Sequence, residues 1–443
     1  MIDLKNFLSQ KVYSFPRGGI SFEDSYVPER DSSETAFLPS LSIIPMTQHS
    51  GLRSYPVVAV GQNVKEGMLV GRGKGLGSAN IHASVPGRVI RLVSWKSAGG
   101  KIQDGIVILM EGSFEKLGKR EEFYSWENMH PHDIQRTISE YGVVEMEGGG
   151  RPVSEIISSI RSAREQITLI VRCVFDDPWL AADYVLSRER AADIAEGAAI
   201  VSRSCRANRI IYAISHKEKE LEKEFLQKAS KWDIPTGTVL VGSRYPQRNK
   251  RELELVLRNY EKKTGTELGS LLILGPATLA AIYDAVKKQK PVLERYVAIG
   301  GNAIKTPRVM KARIGTRIRD LFNECGGFNG FPGKIATGSP ILGQTITDLD
   351  EPVIKTSYAF FASLENAEHP SGNSCISCGE CRAVCPVGLD PEDMFKRIML
   401  TGYNTTLQLN NQCHGCGCCE VVCPSSLPLS VAITSFSGRD KIV

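Results

Sequence analysis

The sequence predicts an α/β multidomain protein, and three observations predict it. The chain has 443 residues, too many for a single hydrophobic core and enough for about two to four domains. Short apolar runs alternate with helix-period segments between residues 128 and 241, the pattern of a parallel sheet. Nine of the twelve cysteines crowd between residues 375 and 423, which marks a separate cysteine-held unit.

Composition is that of a soluble globular protein, 42% hydrophobic and 23% charged. The net charge of +5 is mild at this length. It does not call for nucleic acid, and it suits a surface near anionic lipid or an acidic carrier. Cys173, Cys205 and Cys325 are scattered and read as small buried hydrophobes. The first residues carry Asp3 and Lys5 with no apolar core, unlike a signal peptide. The most apolar stretch, residues 271–286, is broken by Gly275-Pro276 and carries Asp284, so no membrane span is expected. A reducing, cytoplasmic setting follows.

Taken in order, residues 1–40 are rich in Pro, Gly and Ser and read as an irregular arm. From 41 to about 113 the pattern is short β-runs (57–60, 68–70, 88–92, 106–109) between glycine-rich turns, which predicts a small all-β sandwich. His49 and His82 lie beside its turns and read as packing residues before ligands. In the α/β stretch, 128–290, helices are expected over 132–141, 153–164, 181–202 and 218–232, and strands over 167–174, 210–214 and 238–241. Helices follow around residues 271–274. Residues 291–345 show strand, turn, strand and short helix, with apolar spacing at Val297, Ile299, Val309, Ala312, Ile318 and Leu321.

In the unit at 366–435, Cys375, Cys378, Cys381 and Cys385 follow the spacing C-x2-C-x2-C-x3-C, with Pro386 next. After 27 intervening residues Cys413, Cys416, Cys419 and Cys423 repeat it, with Pro424 next. That run holds [4Fe–4S] clusters, and in two-cluster proteins its fourth cysteine ligates the other cluster. The expected sets are therefore Cys375, Cys378, Cys381 and Cys423 on one cluster, and Cys413, Cys416, Cys419 and Cys385 on the other. Zinc ribbons use two C-x2-C pairs and fit less well; disulfides do not suit a reducing compartment. Cys418 is out of register and reads as packing beside a cluster. Between the runs, Asp390, Pro391, Glu392 and Asp393 predict a helix start.

Several stretches carry a family resemblance. FPRGGI at 15–20, PMTQHSG at 45–51 and VAVGQNVKEGMLVGRGKGLGSANIHASVPGRV at 58–89 resemble the N-terminal barrel-sandwich hybrid of the Rnf complex C subunit. There is no Met-Lys-Met turn for a prosthetic group, so the module reads as structural. Residues 295–328 resemble a soluble-ligand-binding β-grasp unit, and KIATGSPILG at 334–343 is again family-like. The resemblance runs in order along nearly the whole chain. It implies four parts: the barrel-sandwich hybrid, an α/β domain similar to the flavoprotein subunit of respiratory complex I, the β-grasp unit, and an α-helical two-cluster ferredoxin domain.

The middle domain of that family is implied to bind FMN and take hydride from NADH, here through Gly148, Gly149 and Gly150. The residues depart from the pattern at four places. Where the family has a phosphate loop of the type G-x-G-G-A-G-F-P-T, residues 145–153 read EMEGGGRPV. Two carboxylates, Glu145 and Glu147, replace glycines whose N–H groups would approach a phosphate. Each like-charge pair at about 4 Å costs about 4 kcal/mol at an effective dielectric of about 20. An acidic turn becomes Phe175, Asp176, Asp177, Pro178, Trp179, with the aspartates read as a solvated strand end or a helix cap. The third stretch ends in Ser215, His216 and Lys217. The fourth, Y-P-x-G-G-E-K in the family, is Tyr245, Pro246, Gln247, Arg248, Asn249, Lys250, with both glycines gone.

The resemblance therefore implies a C subunit of an ion-translocating oxidoreductase, peripheral on the cytoplasmic side of the inner membrane. Its implied partners are the membrane-bound Rnf subunits and a soluble low-potential carrier, a ferredoxin or flavodoxin. Two further readings stand: an NADH dehydrogenase with working FMN, and a non-catalytic assembly subunit.

Overall fold

A four-stranded parallel sheet forms the middle of the molecule, in the order Thr236–Val241, Arg209–Ser215, Ile167–Cys173, Ser270–Leu274. All seven residues of Ile167–Cys173 are buried, as expected of a strand covered on both faces. Side chains alternate across it. Leu169, Val171, Tyr212, Ile214 and Leu272 face a large core shared with the helices Ala191–Cys205 and Pro276–Lys287. Ile170, Ile211, Ala213 and Val239 face the other way, onto Leu253, Val256 and Leu257 of the helix Lys250–Thr264. Those three positions recur at i, i+3 and i+4, one helical face, and Gly265 at φ +70° ends the helix. The computed structural model describes residues 11–22, 27–98, 100–114, 122–162, 165–364, 374–401 and 412–435. No helix among the described residues is long and apolar enough to cross a membrane.

The N-terminal arm is more ordered than an irregular segment. Tyr13 forms a parallel bridge with Val241 at the sheet edge, and Tyr13 and Phe15 join the core on the helix Lys250–Thr264 side. A second part of the arm, Glu34–Thr35, pairs with Arg308–Arg313.

In the all-β stretch, Leu41–Pro45, Ile102–Met110, Gly87–Lys96 and Asn63–Val64 form one sheet. Tyr55–Pro56, Leu69–Arg72 and Ile81–His82 form the facing one. Ile44, Val64, Val70, Ile81, Val89 and Ile106 fill the space between them. The run expected at 57–60 is not a strand. The chain turns there instead, with Gln62 N donating to Ala59 O and the Gln62 side chain accepting from Ala59 N.

The helix expected over 181–202 is two, Ala181–Glu189 and Ala191–Cys205. They part at Arg190, whose guanidinium is held at 2.8 and 2.9 Å by Asp284 and at 2.8 Å by Asp193. Residues 294–363 form a six-stranded mixed sheet with Glu34–Thr35 at one edge, and the helix Ile318–Glu324 packs on Val297, Ile299 and Phe360. Cys173, Cys205 and Cys325 are buried, as expected of small apolar fillers.

Candidate metal centre

The two cysteine runs fold alike, residue for residue. Ser377 and Gly415, each one residue before the second cysteine, have φ of +55° and +70°. Gly379 and Gly417, each one residue after it, have φ of +80° and +79°. Each of these glycines starts a four-residue helix, Glu380–Ala383 and Cys418–Val421. The third matched pair, Gly388 and Ser426, lies three residues after the fourth cysteine at +73° and +51°. Left-handed residues at these points turn backbone N–H groups inward, toward sulfur. Leu389 N donates to Cys385 Sγ at 3.3 Å, and Leu427 N donates to Cys423 Sγ at 3.5 Å. Ser377 N donates to Cys375 Sγ at 3.4 Å.

The fold also gathers the cysteines into two groups. Cys375, Cys378, Cys381 and Cys423 line one cavity with Ile376, Phe395, Leu427 and Leu429. The others meet elsewhere: burial and the sulfurs of Cys416, Cys413 and Cys385 push the Cys419 thiol up. Cys423 of the second run thus joins the first three cysteines of the first run, and Cys385 of the first run acts on Cys419 of the second. Cys418 is fully buried and hydrogen-bonded to Cys416; that bond pulls the Cys416 thiol down to about 7. Four cysteines around one cavity, amide hydrogens on sulfur and an apolar lining suit a sulfide-bridged iron cluster. Between the runs, Asp390 Oδ1 accepts from Asp393 N at 3.1 Å and caps the helix Pro391–Thr401.

The parallel-sheet part holds this unit at several points. Tyr245 Oη donates to Cys416 O at 2.8 Å. Arg251 donates to Gln412 O at 2.9 Å. His414, between Cys413 and Cys416, has Nε2 2.8 Å from the buried carboxylate of Glu252. The arm wedges in from the side: Gly19 N donates to Val384 O at 2.9 Å, and Ile20 and Tyr245 exchange two backbone bonds of 2.9 Å. None of these docking contacts is visible in the sequence. The paired leucines Leu389 and Leu427, each four residues past the last cysteine of its run, could have been found by aligning the two runs.

The glycine triplet borders a crevice at the end of the parallel sheet, and side chains from three of the four departing loops fill it. Glu147 accepts from Ala277 N at 2.6 Å and from Thr278 N at 3.1 Å. It thereby caps the helix Pro276–Lys287, and the Thr278 hydroxyl donates to its other oxygen. A Cβ at Gly275 would meet the Glu147 carboxyl carbon and displace that carboxylate from the helix. The Glu145 carboxylate lies against Gly148 in the same way, 2.6 Å from where a Cβ would stand. Arg172 faces Glu145 at 4.0 Å and donates to Glu147 O at 3.2 Å. Arg248, where the family pattern has glycine, pairs with Asp183 at 3.3 Å, and its backbone nitrogen donates to Asp176 Oδ2 at 2.8 Å. Arg295 reaches Asp183 from the opposite side at 3.7 Å.

Burial pushes the Asp183 and Asp176 carboxyls up, Asp176 to about 7, and pulls the Arg172 guanidinium down. Asp176 and Asp177 are buried, 5% and 7% exposed, which corrects the solvated strand end. Asp177 serves as the cap, accepting from Trp179 N at 3.0 Å. His49 and His82 are buried as well. His49 Nε2 sits 2.8 Å from Leu52 O, and burial pulls both imidazoles down, His82 to about 3. Neither is near the cysteines.

Three family models match the chain: the RnfC barrel sandwich hybrid domain over residues 14–113, the Nuo51 FMN-binding domain over 138–284 and the SLBB domain over 296–343. The C subunit of the ion-translocating oxidoreductase complex of Rhodobacter capsulatus is 30% identical over 390 residues, covering 86% of this chain and 74% of that protein. The C subunit of the proton-translocating ferredoxin:NAD(+) oxidoreductase complex of Clostridium ljungdahlii is 31% identical over 387 residues, covering 85% and 82%. The Na(+)-translocating counterpart of Acetobacterium woodii is 28% identical over 356 residues, covering 80% of each. Among solved structures, the NAD+-reducing [NiFe]-hydrogenase in its H2-reduced state aligns with a TM-score of 0.48 at 13% identity, over 69% of this chain and 60% of that one. Identity at this level, running through the barrel-sandwich, flavoprotein-like and β-grasp parts in order, places the chain in the family of ion-translocating oxidoreductase complex C subunits.

Proposed function

We propose that the chain is an electron-transfer subunit, holding two [4Fe–4S] clusters and no flavin. A [4Fe–4S] cluster, when bound, takes up and releases single electrons. Cys375, Cys378, Cys381 and Cys423 would hold one, and Cys413, Cys416, Cys419 and Cys385 the other. The observation that carries the reading is the cavity lined by Cys375, Cys378, Cys381 and Cys423, in which the fourth cysteine of the second run joins the first three of the other, with Leu427 N donating to Cys423 Sγ. Phe395, Leu427 and Leu429 supply an apolar wall to the first group. Amide hydrogens on sulfur favour the reduced, more negative state.

The crevice residues do not fit FMN. A phosphate needs free N–H groups and positive potential, and the helix amides beside the glycine triplet already bind the Glu147 carboxylate. The departures from the family pattern also match one another: Arg248 from one loop donates to the backbone carbonyl of Glu147 in another at 3.5 Å and pairs with Asp183. With the crevice closed by its own side chains, electrons enter from a soluble low-potential carrier, a ferredoxin or flavodoxin, at one of the cysteine groups. The membrane partners are the integral subunits of an Rnf-type complex, on whose cytoplasmic side the chain sits peripherally.

Metal, sulfide and flavin analysis of anaerobically purified protein tests this. About eight irons and eight sulfides per chain with no flavin are expected; zinc in place of iron overturns it. The match over 138–284 to the Nuo51 FMN-binding domain favours a second reading, an FMN-dependent NADH dehydrogenase. Bleaching of the visible absorbance by NADH after FMN is added would establish that one instead.

A further inference from the structure

Beside the docking contacts of the second cysteine run lies an open groove of about 510 Å³. It runs between the helices Val153–Arg161 and Lys250–Thr264, with the strand Ser270–Leu274 beneath. Its apolar lining is Ile156, Ile160, Leu271 and Leu272, and Leu255 on its rim is 48% exposed. The charged lining is Arg151, Lys250, Arg251 and Arg258 against Glu254, with Arg258 also paired to Glu261 at 2.9 Å, which leaves Arg151, Lys250 and Arg251 in surplus. Lys250 is 73% exposed, and its nearest acid, Glu254, is 3.9 Å away. Such a pair neutralises little of its field.

Position adds meaning to the charge. Arg251 of the groove donates to the carbonyl of Gln412, the residue before Cys413. One turn of the same helix presents Glu252 to His414 on its inner side and Lys250 and Arg251 to the groove. A protein seated in the groove therefore stands beside the segment that carries Cys413 and Cys416.

We infer that this groove docks an acidic redox protein with an apolar spot at the centre of its contact face, placing it next to the Cys413 end of the chain. A surplus of cations around an apolar floor raises the encounter rate of an acidic partner and orients it, and Ile156, Ile160, Leu271 and Leu272 offer an apolar contact for its centre. The inference rests on the electron-transfer reading and names the entry point that reading requires. The exchange is one electron, lost by the reduced carrier and gained by the chain, with no bond formed or broken.

The test uses the full chain with its metal, titrated with a fluorescently labelled two-cluster ferredoxin of net negative charge. Binding is measured at about 50 mM and about 500 mM salt, where screening of exposed charges differs strongly. The variant Arg151→Glu/Lys250→Glu is compared with Lys96→Glu/Lys101→Glu, an equal change of charge on the distant β-hairpin. The groove variant is expected to weaken low-salt binding about tenfold or more, the hairpin variant to change it by less than about twofold. High salt should erase the difference. Equal weakening by both pairs, or none by the groove pair, overturns the inference. So does a groove variant that loses binding to anionic phosphatidylglycerol vesicles while keeping the ferredoxin. A chain that contains no iron overturns the electron-transfer reading instead, and with it the occupant named here, even if salt-sensitive binding persists.

Discussion

Glu147 Oε1 lies 2.6 Å from the backbone nitrogen of Ala277, so a carboxylate from one loop sits on the first turn of the helix Pro276–Lys287. The helix has no cap of its own, because its N-cap residue is Gly275. A helix N-terminus attracts anions through its unpaired N–H groups and its dipole, and here the chain supplies the anion itself. Glu147→Ala removes three hydrogen bonds at once. It should cost about 1–2 kcal/mol, read as a lower urea midpoint with unchanged slope. Hydrogen exchange should speed up in residues 277–279. A variant as stable as the parent would mean that the cap is not formed.

The hydroxyl of Tyr245 reaches from the parallel-sheet part to the backbone inside a cysteine run, donating to Cys416 O at 2.8 Å. Tyr245 is 5% exposed, so Tyr245→Phe leaves that carbonyl short of a donor in a dry place. The expected cost is about 1–2 kcal/mol. Exchange should quicken in residues 412–416 while iron content stays the same. Loss of iron on mild purification would show that the bond also holds the cluster geometry.

The cysteine runs are legible because their spacing is local, and the same holds for the buried strand Ile167–Cys173 and the capped helix at Asp390. What escapes reading is what depends on partners distant in the chain. Arg248 reads as the loss of a glycine; its role appears only when Asp183, 65 residues away, is placed beside it. Asp176 and Asp177 read as solvated because aspartates at a strand end usually are. The packing of the helix Ala181–Glu189 and of Arg248 buries them. Arm residues 15–20 are recognisable as a motif, but nothing in them points to Cys385, hundreds of positions later. In the 57–60 run the apolar residues suggest a strand, and nothing in their pattern announces the turn at Ala59 and Gln62.

Gly18 shows why the arm needs its glycines. It sits at φ +65°, and a Cβ there would lie 2.6 Å from Val384 O and 2.7 Å from the carbonyl carbon of Cys385. Gly18→Ala therefore meets both the left-handed penalty of about 1 kcal/mol and backbone atoms that cannot yield without moving Cys385. The arm should detach there and open the cysteines to solvent. In air, the visible absorbance of the variant should decay about fivefold faster than that of the parent, for a barrier lowered about 1 kcal/mol. Gly61→Ala is the control: its φ is +88° but nothing lies within 4 Å of the added Cβ, so its decay should match the parent.

Lys355 joins three parts of the chain from a buried position, 2% exposed. Its Nζ donates to Asn80 O at 2.8 Å and to Gly142 O at 2.7 Å, and its backbone nitrogen to Gln48 Oε1 at 3.3 Å. Both acceptors of the ammonium are neutral carbonyls, and its charge helps to hold the His49 and His82 imidazoles neutral. Burial pulls its pKa down to about 7 from the ordinary 10.5. The folded protein then holds fewer protons than the unfolded chain between about pH 7 and 10.5. Stability must therefore rise with pH across that window, by at most about 1.4 kcal/mol per unit. Below pH 7 the lysine is charged in both states, and its penalty is full and constant. His49 and His82, also lowered, act in the same direction but below about pH 6.5. Lys355→Met keeps most of the stem and removes the titration, so its urea midpoint should climb less steeply from pH 7 to 10 than that of the parent. The two carbonyls it abandons partly offset the relief near pH 7, which is why the slope rather than the value at one pH is the measurement. Parallel profiles for parent and variant would place an ordinary, solvated ammonium at this junction.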